Sequence, residues 1–502
     1  MKKFHTRQFW KSGAVFLALC FATPDSPLRA AEPANKPNIV YLLADQWRAS
    51  ATGYAGDPNV KTPNLDRLAK QSWNFRNAVS SQPVCTAHRA ALMTGRFPTS
   101  TGMFLNDAHL PDEELCMAEI FKGAGYTTGF IGKWHLDGHG RTAFIPAERR
   151  QGWEWWRGNE CTHDYNHSPY YEGDSKVKRF WPGYDAYAQT KAAQDYIRDH
   201  TNSTKPFVLM LCYGPPHFPS ASAPKELQAL YPPESIKLPA NVTENWKAAA
   251  VKQAQGYYAH CAALDQCVGE IMKTLAETGL ADNTILIFSS DHGESLGSHG
   301  IQPFKKLAFW NETAGVPFLM RYPAVLGQTG RDLRMPITTT DVLPTLLGFA
   351  GVPIPPSIEG ENLAPFLRAG RDEAERAALF MAVNSNAIET KEYRALRSGR
   401  YTFVRTLEGS NYLFDNGKDP LQVTNLIAHP EFAAARDELD RRLTAELARI
   451  KDDFRPGAAY IAEWYPTLKR LPIPYDDDGT TPVMTPKRVS LTPVAPPKLL
   501  KD

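Results

Sequence analysis

The stretch Ile39-Val40-Tyr41-Leu42-Leu43-Ala44-Asp45-Gln46 decides the fold of this 502-residue chain. Its six leading residues are apolar without interruption, so the two-residue alternation of a strand with one wet face is missing. A strand-length run of this kind belongs in a parallel sheet covered by helices on both faces. Three further stretches repeat the design. Residues 127–131 lead to Gly132-Lys133-Trp134-His135, residues 207–213 to Pro215-Pro216-His217, and residues 284–290 to Asp291-His292-Gly293. Four expected strands therefore each deliver ionisable residues just past their C-terminal ends, the edge at which open α/β sheets bind ligands.

Between the third and fourth strands, Cys261, Leu264, Val268, Ile271 and Leu275 recur at steps of three and four, and Gly279 can close that helix. Residues 190–198 suggest another helix, residues 317–322 a further strand, and Asp341-Val342-Leu343-Pro344 a helix start. Alternating strands and helices give the doubly wound α/β pattern. Past the charged stretch 368–376 the texture changes. Short strands at 393–397, 401–405 and 412–414 precede a helix whose Leu439, Leu443, Leu447 and Ile450 share one stripe, a small antiparallel sheet with a covering helix. From residue 465 onward a proline-rich polar tail follows. The expected organisation is a signal segment at 1–31, a large α/β domain at 36–368, a small α+β domain at 369–464 and a tail at 465–502. The stretch 152–181, rich in Trp, Tyr and His without clear period, is read as a long loop whose aromatic faces suit sugar or aryl rings, or as a packed surface loop.

Hydrophobic content of 43% and charged content of 22% are those of an ordinary globular protein, and 56 basic residues nearly balance 54 acidic ones. No basic run or recognition motif points to nucleic acid. Lys2, Lys3, Arg7 and Lys11 precede an apolar run at 13–22 and a small-residue site near Ala30-Ala31, the layout of a secretory signal. The run is too short for a lasting membrane span, so a periplasmic or secreted protein is expected. The bulky Leu19 before Cys20 argues against a lipoprotein. Seven cysteines, an odd count, cannot all pair, and their spacing assigns no disulfide.

Cys85-Thr86-Ala87-His88-Arg89-Ala90-Ala91-Leu92-Met93-Thr94-Gly95-Arg96 describes a loop feeding a short helix, with Cys85 near its positive end. Cys85 and Arg89, at i and i+4, share a face, and the Arg89 fork suits a tetrahedral oxyanion. A buried free cysteine beside a surface arginine is the plain alternative. Asp45, Asp291 and His292, at two strand ends, offer carboxylate oxygens and an imidazole to a divalent cation.

These motifs together resemble the type I sulfatases, members of the alkaline-phosphatase-like superfamily. That family carries Cys-x-Pro-x-Arg followed by Thr-Gly-Arg; here Ala87 stands where proline is usual. The resemblance runs from about residue 37 to 365, with Tyr412-Leu413-Phe414-Asp415 and Asn425-Leu426 echoing the family's C-terminal region. It implies that a formylglycine-generating enzyme converts Cys85 to formylglycine. It further implies that Asp45, Gln46, Asp291 and His292 hold a divalent metal, expected to be calcium, together with residue 85. Carried over, Lys133 and Lys306 bind sulfate oxygens, with Lys305 the competing choice, His135 hydrogen-bonds the hydrated aldehyde, and His217 lies near the leaving oxygen. The implied activity is hydrolysis of sulfuric esters of a carbohydrate or aryl alcohol. Gln46, His292 and the following Gly-Glu-Ser-Leu-Gly-Ser-His-Gly are also similar to phosphonate monoester hydrolases and choline-sulfatase-like relatives. A phosphonate or phosphate monoester hydrolase therefore stays open, as does a non-catalytic binder of sulfated glycans with an unmodified Cys85.

Overall fold

The computed structural model describes residues 1, 36–383, 391–469, 471–473, 476–477, 479 and 482–487. The expected signal segment, Met1 apart, and the last part of the tail lie outside the described residues. Twelve strands precede residue 339: β1 (Asn38–Asp45), β2 (Trp73–Phe75), β3 (Ala78–Val79), β4 (Thr127–Lys133), β5 (Trp155–Asn159), β6 (Pro169–Glu172), β7 (Arg179–Phe180), β8 (Phe207–Pro216), β9 (Thr284–Ser290), β10 (Phe318–Arg321), β11 (Arg331–Leu333) and β12 (Ile337–Thr338). β3 and β12 pair with each other; the other ten form one mixed sheet in the order β11-β2-β10-β9-β1-β8-β4-β5-β6-β7. Its centre, β9-β1-β8-β4-β5, is parallel throughout.

The unbroken apolar run of β1 has a direct cause. Ile39, Tyr41 and Leu43 point into one apolar core and Val40, Leu42 and Ala44 into another, so both faces exclude water. Helices Asp185–Asp199 and Lys247–Glu277 supply the second core, and helices Cys85–Thr94, Met117–Gly123 and Thr339–Ala350 the first. Cys261, Leu264, Val268, Ile271 and Leu275 are all buried in the long helix, as their spacing predicts.

The stretch 152–181 differs from the sequence reading. It is not one long loop, because β5, β6 and β7 extend the main sheet through it. Most of its aromatics are core: Trp156 stacks on Phe130 at 4.8 Å, and Trp153, Tyr165, Tyr171 and Trp181 are buried. Strands of two to five residues carrying bulky rings leave no period to read.

The C-terminal sheet has four antiparallel strands, β13 (Ala377–Ala382), β14 (Tyr393–Ser398), β15 (Tyr401–Thr406) and β16 (Gly409–Asp415), covered by helix Ala433–Arg449 through Leu439, Leu443 and Leu447. The sequence reading omitted β13, whose Ala-Ala-Leu-Phe-Met-Ala lacks β-branched residues. Leu379, Met381, Leu396, Phe403 and Leu443 join the same apolar core as Tyr41 and Leu43. The change at residue 368 is thus a change of topology across a continuous core. Part of the tail lies on the body, with Arg141 and His109 donating backbone N–H groups to the carbonyls of Asp476 (2.9 Å) and Met484 (3.0 Å). The six described cysteines are free, and among the described residues no helix is long and apolar enough to cross a membrane.

Candidate active site

The parallel register of β1 and β9 sets Ala44 beside Ser290, so the residues that follow, Asp45-Gln46 and Asp291-His292, emerge together. Asp291 N–H donates to Ala44 O (3.1 Å) and Gln46 N–H to Asp291 Oδ1 (3.0 Å). Gln46 turns the chain with φ 67°, an uncommon conformation for a non-glycine residue and one that concentrates at functional sites. Cys85 opens the helix Cys85–Thr94, all ten residues of which are buried. Its Sγ lies 3.6 Å from Asp45 Oδ1, 3.3 Å from His292 Nε2 and 3.1 Å from Lys306 Nζ. One donor atom from each of Asp45, Cys85, Asp291 and His292 falls within 4.8 Å of every other.

Two carboxylates and two cations are buried here, with a third cation, Lys306, half-buried beside them. Lys133 Nζ donates to Asp45 Oδ2 at 2.6 Å, and Arg89 Nη2 reaches Asp45 Oδ2 and Asp291 Oδ2 at 3.3 and 3.2 Å. Burial opposes ionisation of Asp45, yet the Lys133 ammonium and the Arg89 guanidinium outweigh it and hold its carboxyl well below the usual range. Burial likewise works against the Lys133 ammonium, and Asp45 more than restores it. Gly132 must precede this lysine: its φ is 93°, and a Cβ there would stand 2.1 Å from Cys212 O.

Arg89 departs from the sequence reading. Its Nη1 donates to Lys133 O at 2.7 Å and its Nη2 serves the two carboxylates, so its fork is not presented to an oxyanion. Arg89 instead braces Asp45 against Asp291. The spacing places Arg89 on the face of Cys85 but cannot say which partners its guanidinium meets. Lys306, and not Lys305, reaches the cluster; its Nζ also lies 3.4 Å from His217 Nε2.

His217 Nδ1 faces Phe218 O at 3.0 Å, which assigns its proton to Nδ1 and leaves Nε2 as the acceptor toward Lys306. Burial first, then Lys306, Lys133 and His163, hold this imidazole well below the usual histidine range despite Asp45. His135, with φ 57°, is held through Nε2 by Asp107 Oδ1 at 2.8 Å. The sequence reading missed Asp107, which sits in an Asn-Asp turn with no motif to mark it. It also missed His163, whose ring stacks on His217 at 4.9 Å, and Glu294, which receives Gln46 Nε2.

The donor set fits a divalent cation. Asp45 and Asp291 are buried carboxylates, and the amide oxygen Oε1 of Gln46 is buried without a partner. His292 donates Nδ1–H to Gly293 O at 2.8 Å, which turns the Nε2 lone pair into the cluster. Burial holds that imidazole down to about 4, so it stays neutral as a ligand must. Mostly hard oxygen donors of this kind suit calcium or magnesium better than a soft metal.

The chain is similar in sequence and fold to known proteins. Residues 37–352 match the family model described as sulfatase, and residues 297–449 match that of the C-terminal region of N-sulphoglucosamine sulphohydrolase. The chain is 48% identical to an ulvan-active sulfatase of Formosa agariphila over 88% of this chain and 87% of that protein. It is 30% identical to an endo-4-O-sulfatase of Bacteroides thetaiotaomicron, over 85% of this chain and 95% of the relative. A solved sulfatase of glycosaminoglycan metabolism in Bacteroides thetaiotaomicron superposes with a TM-score of 0.74 at 27% identity, covering 84% of this chain and 97% of that one. The phosphonate monoester hydrolase of Agrobacterium radiobacter shares the fold, with a TM-score of 0.66 at 22% identity over 83% of this chain and 96% of that one. The chain belongs to the sulfatase family, with the alkaline-phosphatase-like fold, and is a sulfuric ester hydrolase.

Proposed function

We propose that this enzyme is exported and removes sulfate from a sulfated polysaccharide of the ulvan type, using formylglycine at residue 85 and calcium on Asp45, Gln46, Asp291 and His292. The observation that carries the chemistry is the position of Cys85: first residue of a buried helix, 3.1 Å from Lys306 and 3.3 Å from His292. The 48% identity to an ulvan-active sulfatase supports the substrate. Export rests on the charged and apolar layout of residues 1–31.

Formylglycine supplies a hydrated aldehyde whose oxygen attacks sulfur and whose second hydroxyl allows sulfate to leave, a turnover that a thiol lacks. A divalent cation supplies Lewis acidity to the sulfate oxygens. The chain's own residues do the rest. Lys306, between residue 85 and His217, holds a sulfate oxygen and offsets its charge, and Lys133 adds to the same field. His217, whose Nε2 lies 3.4 Å from Lys306 Nζ, would in its protonated form give a proton from Nε2 to the leaving oxygen, while Lys306 keeps its own proton and its charge. Asp107 orients His135, which accepts a proton as sulfate leaves residue 85.

The test is production with a formylglycine-generating enzyme, mass measurement of the peptide spanning residue 85, and chromatographic assay of sulfate release from ulvan fragments, other sulfated glycans and matched aryl sulfate and phosphonate esters. Converted protein that releases sulfate fastest from ulvan fragments supports the reading. Converted protein that leaves ulvan untouched while cleaving another glycan overturns the substrate, and full activity of unconverted protein overturns the formylglycine.

A further inference from the structure

The carboxylate of Glu294 is fully buried two residues beyond His292, and none of its contacts is with a metal-capable carboxylate or a catalytic lysine. Its Oε2 receives the amide Nε2–H of Gln46, and its Oε1 receives the backbone N–H groups of Leu296 (3.0 Å) and Phe304 (2.7 Å). Gln46 Nε2 also faces Phe304 O at 3.3 Å. Two acceptors thus fix which end of the amide is nitrogen, and the other end, Oε1, is left buried and without a partner. The same carboxylate ties residue 296 to residue 304, closing a loop in which Leu296, His299 and Phe304 hold positive φ between 46° and 76°, and Leu307, three residues past it, continues the pattern at 70°. Lys306 stands inside that strained run.

We propose that Glu294 is a positioning residue that locks the amide of Gln46 with its oxygen toward the cation and fastens the loop that presents Lys306. The proposal rests on the reading of Gln46 as a calcium ligand. A hydrogen bond from the second nitrogen or amide end of a ligand to a buried carboxylate is how proteins orient metal ligands without touching the metal. Glu294→Gln keeps the shape and the acceptor for Leu296 and Phe304, but sets an NH2 group against the NH2 of Gln46. The Gln46 amide must then flip, turning nitrogen toward the cation. Replacing Gln46 by Glu in the same protein removes the conflict: one carboxylate oxygen accepts from the new amide and the other faces the cation.

The experiment is calorimetric calcium titration of the metal-free full chain, with melting of the metal-free proteins alongside. Glu294→Gln is expected to weaken calcium binding by roughly 10- to 100-fold, and the double variant with Gln46→Glu to return to within about threefold of wild type, as the restored acceptor geometry requires. Metal-free melting temperatures are expected to stay together. Equal affinity in wild type and Glu294→Gln overturns the assignment alone. A metal-free Glu294→Gln protein that melts far below wild type, or a double variant no better than the single, makes the residue structural and also overturns it. A wild type that takes up no calcium overturns the metal reading itself, and this assignment with it.

Discussion

Two buried charge clusters in this molecule obey opposite rules. In the C-terminal region Arg394 and Asp452 are both fully buried and matched one to one. Arg394 Nε and Nη2 take both oxygens of Asp452 at 2.5 and 3.2 Å, its Nη1 serves Ala382 O and Tyr393 O, and Tyr460 OH closes the set. Burial opposes the Asp452 carboxylate and Arg394 outweighs it, holding its pKa below the usual range. Around Cys85, by contrast, three cations face two carboxylates, Gln46 Oε1 and Arg89 Nε are left unpartnered, and Gln46 and His135 hold left-handed backbone. A cluster built for stability satisfies itself; one built for chemistry leaves positive charge and open valence for an anion and a cation that arrive later.

The largest effect separates the two at once. Cys85→Ser should lower sulfate release from an aryl sulfate by roughly three orders of magnitude or more, because the residue is the proposed nucleophile, while its melting temperature stays near that of wild type. An active Cys85→Ser enzyme would break the chemical half of the comparison.

The next pair of variants makes the contrast quantitative. Arg394→Met leaves Asp452 buried without its countercharge, an expected loss of about 3–5 kcal/mol in denaturant unfolding, with kcat per folded molecule unchanged. Lys306→Met removes the surplus cation, so stability should hold or rise while kcat/KM falls roughly 100- to 1000-fold. If Lys306→Met destabilises as much as Arg394→Met, the surplus charge is structural and the distinction collapses.

The sequence shows where the four central strands end, and therefore Asp45, Lys133, His217 and Asp291, because a strand buried on both faces must read as an unbroken apolar run. It also shows Cys85 at a helix start. What it hides is every relation set by tertiary contact. Asp107 meets His135 across 28 residues, Gln46 meets Glu294 across 248, and Arg89 turns its guanidinium to carboxylates 44 and 202 residues away. No local period encodes these. The edge strands β5 to β7 were hidden for a different reason, being too short for alternation to show, and β13 because alanine carries little strand preference.

A smaller effect lies in the pH dependence of stability. Burial holds His88 near 3, and His260 and His292 near 4, against an ordinary 6.5. Unfolded, these imidazoles take protons as pH falls below 6.5, while the folded chain refuses them until about 4. Stability should therefore fall as pH drops through that window, each group adding up to about 1.4 kcal/mol per pH unit to the slope. His260, bonded to Tyr184 OH at 2.6 Å, lies outside the catalytic cluster. His260→Gln should flatten the urea-unfolding profile between pH 4 and 6.5, and a profile that superimposes on wild type would remove His260 from the account.

The smallest effect sharpens the boundary between the clusters. His163 comes from the aromatic stretch whose other rings are mostly core, and it lies flat on His217, the proposed acid, with 11° between the rings. Burial takes His163 down to about 3, so it stacks as a neutral ring. Such a stack is worth about 0.5–1.5 kcal/mol, spent here on the orientation of His217. His163→Ala should therefore lower kcat/KM by several-fold with little change in unfolding free energy, and His163→Phe, which keeps the flat ring, should recover most of the loss. If both variants lose stability and neither changes the rate constant, His163 belongs with the packed aromatics around it, and the catalytic cluster ends at His217.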